Sequence, residues 1–103
     1  MNSARESLIA VLCEARAWLC LPDNDFVWSG WDDEAEATAE LDKFIELLRQ
    51  GVAFDDLDLR VLFAPTGPIQ EVSLSSGWGQ PFCEFAARFD QTLAQYKASL
   101  PQP

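Results

Sequence analysis

The sequence predicts an α+β domain, mainly helical, in which three helices pack around a two-stranded antiparallel β-hairpin in the order ααββα. Three observations lead there. Apolar residues recur at helical spacing towards both termini, in the stretches 8–19 and 82–96. An acidic middle segment repeats that spacing with capping signals at each end. Two short apolar runs, 59–64 (LRVLFA) and 69–74 (IQEVSL), flank the breaker sequence Pro65-Thr66-Gly67-Pro68.

The first helix opens on Ser3-Ala4-Arg5-Glu6, whose spacing matches a capping box. Leu8, Ile9, Leu12, Ala15 and Leu19 follow as one apolar face, which Arg16 interrupts and which Val11 and Trp18 widen. Pro22 disfavours helical geometry at Leu21, so this helix ends near Cys20. Residues 22–31 form a loop with three large aromatics, Phe26, Trp28 and Trp31.

Asp32 or Asp33 caps the second helix, and Asp33 with Glu36 repeats the capping-box spacing. Its inward stripe is Ala37, Leu41, Phe44, Ile45 and Leu48, and Arg49-Gln50-Gly51 supplies a basic last turn and a glycine C-cap. Residues 52–58 make an acidic connector with one helical turn capped by Asp55 or Asp56.

In the hairpin, Val72 and Leu74 alternate with Glu71 and Ser73, the period of a strand with one buried face. A lone hairpin is marginal in water, so helices, further strands or a second subunit must cover it. The link 75–80 follows, Pro81 suits the first position of a helix, and Phe82, Phe85, Ala86, Phe89, Leu93 and Tyr96 recur at three and four residues until Pro101.

The 103 residues suit a single domain, 1–103. No apolar run is long enough to span a bilayer, and charges interrupt the N-terminal apolar segment as no signal peptide allows. Three cysteines, with Cys13 and Cys20 about 10 Å apart along one helix, point to a reducing cytoplasm. Cys13 and Cys83 are read as core residues.

The net charge is −10, and residues 23–58 hold all of that excess, with twelve acids against Lys43 and Arg49. Such a surface repels nucleic acid and anionic membrane and favours a basic partner, though acidity also serves plain solubility.

The chain has no histidine, which removes the usual general base, the commonest metal ligand and the histidine-activated nucleophiles. No zinc-spaced cysteine pair and no phosphate-binding glycine motif occurs. Asp23, Asp25 and Glu34 match positions 1, 3 and 12 of a calcium loop, but Val27 and Trp28 replace the required oxygen donor and glycine. Thr66, Ser75 and Ser76 lack an activating base and suit turns. No enzymatic activity, metal or cofactor is therefore expected.

Trp28, Trp31 and Trp78 stand in loops beside serine and glycine. One reading makes them plugs of a small core. The other makes them contact residues. The leading functional expectation is a non-enzymatic interaction protein that binds a basic protein, as an immunity protein, an antitoxin or a regulatory subunit does. Its contact residues are Trp28, Trp31, Asp32, Asp33, Glu36 and Trp78. A second expectation is a small-ligand pocket lined by Trp28, Trp31, Thr66 and Trp78. A third is self-association, as a homodimer paired through the hairpin edge.

The stretch 61–78, VLFAPTGPIQEVSLSSGW, together with the Asp-Asn-Asp-Phe-x-Trp-Ser loop at 23–29, resembles small acidic bacterial proteins with no assigned activity. The resemblance covers nearly the whole chain and implies a bacterial cytoplasmic protein. It brings no site residues with it.

Overall fold

The computed structural model describes residues 3–101 and holds five helices among them, with no strand. They are α1 (Ala4–Leu19), α2 (Glu34–Gln50), α3 (Leu57–Phe63), α4 (Pro68–Ser76) and α5 (Gly79–Ser99). The expected α+β class is thus corrected to all-α. The hairpin is replaced by two short helices, and the sheet edge expected to pair a second copy does not exist among the described residues.

The reason lies in which residues are buried. In α3 they are Leu59, Leu62 and Phe63, and in α4 they are Ile69, Val72 and Ser73. Both sets have the i, i+3, i+4 spacing of a helix face. Leu74, which a strand would have buried beside Val72, is 62% exposed. Ser73 tolerates complete burial because its hydroxyl donates to the Gln70 carbonyl at 2.7 Å.

The breaker sequence joins helices rather than strands. Thr66 takes a positive φ of 63°. Gly67 caps α4 and Pro68 occupies its first turn, where its missing N–H costs nothing. Gln70 reaches back from that turn and accepts the Thr66 backbone N–H. Gly67 must be glycine, since a Cβ would run into the carbonyl oxygens of Val61 and Ala64. Gly77 ends α4 in the left-handed conformation at φ 86°.

The other elements follow their expected signals closely. Ser3 Oγ accepts the Glu6 N–H at 3.1 Å, and Cys20 caps the end of α1. Asp33 caps α2, whose five inward residues are all buried, and Gly51 closes it at φ 69°. In α5, Phe82, Phe85, Phe89, Leu93 and Tyr96 are buried, and Pro81 sits in the first turn rather than at its first position. Asp56 caps α3 by position, while the Asp55 carboxylate accepts the Leu57 N–H at 2.9 Å.

α1 is the central element and packs against α2, α5 and α4. α3 reaches the core by stacking Phe63 on Phe89 of α5, with ring centroids 3.9 Å apart and planes 6° from parallel. Arg16, the charge on the apolar face of α1, leans to the edge and grips Asp42 of α2 through Nε at 2.7 Å and Nη2 at 3.1 Å. That pairing raises its guanidinium pKa still further.

Cys13 and Cys83 are exposed rather than in the core, which corrects the expectation for both. Each follows a core residue, Leu12 and Phe82 respectively, and so turns to the outer side of its helix. No helix among the described residues is long and apolar enough to cross a membrane.

Candidate functional site

The loop joining α1 to α2 carries the features that set this surface apart. Asn24 fixes its base. The Asn24 Nδ2 donates to the Trp18 carbonyl at 2.8 Å, and its Oδ1 accepts the indole N–H of Trp78 at 2.8 Å. The next residue, Asp25, donates its backbone N–H to Ser76 Oγ at 2.9 Å and so ties the loop to the end of α4. Asp25 Oδ1 in turn accepts the Val27 N–H at 3.0 Å, a local turn that lifts residues 27 and 28 outward.

The returning arm is held as firmly. Ser29 donates its hydroxyl to the Phe26 carbonyl at 2.7 Å and accepts the Trp31 backbone N–H at 3.0 Å. The Trp31 indole N–H donates to Glu40 Oε2 of α2 at 2.7 Å. Asp33 Oδ1 accepts the Glu36 N–H at 3.0 Å, and Glu36 Oε2 reaches back to the Asp32 N–H at 2.7 Å. This is a variant of the capping box in which the glutamate serves the residue before the cap.

Two side chains at the tip find no cover. Val27 is 76% exposed and Trp28 73% exposed. Leaving an indole in water forgoes up to about 4 kcal/mol of burial, from roughly 150 Å² at 25 cal/mol per Å². The stretch that carries them, residues 23–36, contains six acids, Asp23, Asp25, Asp32, Asp33, Glu34 and Glu36, and no base. Among the described residues none of these acids has an ion-pair partner; the four ion pairs involve Asp42, Asp56 (twice) and Glu14. The positive end of the α2 dipole offsets part of that charge. An open cleft of about 510 Å³ lies between the two arms, bordered by residues 24–27 and 31–34.

The structure divides the expected contact residues. Trp28, Asp32, Asp33 and Glu36 are all exposed, on the loop and the start of α2. Trp31 and Trp78 are buried, at 8% and 3% exposure, with their indole N–H groups already bonded. Trp78 stacks on Trp18 at 5.4 Å and supports the loop from below through Asn24. Asp33 and Glu36 are spent on the cap of α2, which leaves Asp32 and Glu34 as the freer acids. Thr66 is exposed on the α3–α4 turn. Asp23, Asp25 and Glu34 do not converge, and no group of three acidic or cysteine side chains among the described residues is placed to hold a metal ion.

The sequence marks Val27 only as a mismatch to a calcium loop, and its exposure has no signal there, where an apolar residue next to a tryptophan looks like more core. Asn24 and Ser76 were missed as anchors because their partners lie far along the chain. The signal that marks this site is exposure, which appears only in three dimensions. No family model matches this chain, and comparison with curated proteins and with solved structures finds no match.

Proposed function

We propose that this chain is a non-enzymatic interaction protein that docks a basic protein partner on the loop between α1 and α2. Its role is that of an immunity protein, an antitoxin or a regulatory subunit. The observation that carries the reading is the pair Val27 and Trp28, both about three-quarters exposed at the tip of a loop otherwise bonded along its length. Tryptophan is the residue type most enriched at binding hot spots, and a preordered loop loses little entropy on docking. The six acids in the same stretch, residues 23–36, which holds no base, complement lysines and arginines on the partner and steer their approach.

A photoreactive phenylalanine analogue at position 28, in cells that natively carry the protein, tests this. The expected result is a discrete cross-linked adduct with a basic protein. Asp32→Lys with Glu34→Lys, which spares the α2 cap, is expected to abolish it. An adduct indifferent to both charge reversals, or no adduct at all, overturns the reading.

A further inference from the structure

The opposite end of the molecule holds a second site, about 25 Å away along the 17 residues of α2. There the α2–α3 connector and the last turns of α5 enclose a cleft of about 370 Å³. Its walls are mainly apolar, with Phe54, Leu93, Tyr96 and Leu100 facing two charged residues, Asp56 and Lys97.

Those two charges are not equivalent. The Asp56 side chain is 18% exposed and that of Lys97 is 55% exposed. Asp56 Oδ2 is shut off from water and has ion-pair contacts to Lys97 Nζ at 3.1 Å and Arg60 Nε at 3.5 Å, but no hydrogen bond of good geometry. The fixed inner charge is therefore the carboxylate, and the ammonium of Lys97 sits on a flexible stem that can swing into water. Two helices also end at this cleft, α2 at Gly51 and α5 at Leu100, so the negative ends of both dipoles border it. An anion would meet the Asp56 carboxylate and two helix C-termini, offset in part by Lys97 and by the N-terminus of the short α3, which Asp56 caps. A cation meets an under-bonded acceptor.

We propose that this cleft binds a small amphipathic amine: an ammonium group on an apolar body the size of one aromatic ring. The ammonium takes the Asp56 carboxylate and displaces Lys97, while the ring packs between Phe54 and Tyr96. A volume of about 370 Å³ is at the lower end of the range for small-molecule sites and suits a ligand of this size. The proposal is independent of the docking loop.

Amide NMR titration of the full chain tests it with 2-phenylethylamine as probe, and 2-phenylethanol and 3-phenylpropionate as neutral and anionic controls. Saturable shifts with the amine at the amides of Phe54, Asp56, Tyr96 and Lys97 are expected, with the carboxylate silent at equal concentration. Lys97→Ala is expected to tighten the amine roughly two- to fivefold, the equivalent of freeing an exposed ion pair. Asp56→Asn is expected to erase the preference for amine over alcohol. It is read only if the helical circular dichroism is unchanged; Lys97→Ala, at an exposed side chain, decides the matter if that variant unfolds. No saturable shift up to about 10 mM amine overturns the proposal. So does a carboxylate that binds as well as the amine, or a Lys97→Ala variant that binds it more weakly.

Discussion

Replacing Asn24 with alanine tests how the docking loop is held. The side chain makes two hydrogen bonds, one to the Trp78 indole N–H and one to the Trp18 carbonyl. Trp78 is 3% exposed, so without Asn24 its N–H has no water to turn to. A stranded buried donor costs about 1–3 kcal/mol. The Trp18 carbonyl suffers less, because it also accepts the Leu21 N–H at 3.3 Å. The sum is about 2–3 kcal/mol, or roughly 10–20 °C in melting temperature for a domain of this size. Urea unfolding followed by helical circular dichroism measures it. Asn24→Asp keeps an acceptor for Trp78 and is expected to fall between wild type and Asn24→Ala. Trp78→Phe removes the donor itself, so in that background Asn24→Ala is expected to cost about 1 kcal/mol less. An Asn24→Ala variant within about 0.5 kcal/mol of wild type, or a strictly additive double variant, refutes the reasoning.

Gly67→Ala is expected to cost about 2–3 kcal/mol in the same assay, the upper end of the overpacking range, because the new methyl group meets two backbone carbonyls; a neutral effect would show that the α3–α4 turn is built differently. Cys13 and Cys83 are expected to react with an aromatic disulfide reagent in the native protein ahead of the half-buried Cys20; two slow thiols at 13 and 83 would return them to the core.

How legible the fold was in the sequence depended on whether independent signals agreed. In α2 the period, the Asp33 cap and the terminal Gly51 all indicated one helix, and the structure has it. In the stretch 59–76 they conflicted. Six-residue apolar runs fit either period, and the alternation at 71–74 favoured a strand. Yet Gly67-Pro68 before the second run and Gly77 after it are the start and stop of a helix, an N-terminal proline and a C-terminal glycine, of which Pro81 in α5 and Gly51 in α2 each show one half. Ser73 hid the period, because a serine bonded to its own helix occupies a core position that composition alone assigns to solvent.

The candidate site was half legible. Charge clustering at 23–36 can be read by counting. The fate of the tryptophans cannot, since Trp28 and Trp31 share one Trp-Ser-Gly-Trp motif and only the second turns inward to Glu40. Burial is decided by what α2, α4 and α5 place around the loop. The cleft at Asp56 left no trace in the sequence, because its two charges are 41 residues apart and meet only when α5 returns past the connector.

The most direct measurement is differential quenching of tryptophan fluorescence by caesium and iodide. If Trp28 projects into water among uncompensated acids, acrylamide quenches an accessible component that disappears in Trp28→Phe. Caesium then quenches that component far better than iodide, and the gap closes in Asp32→Lys/Glu34→Lys or at high salt, where the Debye length falls to about 3 Å at 1 M. Emission shielded from acrylamide, or equal quenching by the two ions, would contradict an exposed tryptophan in an acidic docking surface.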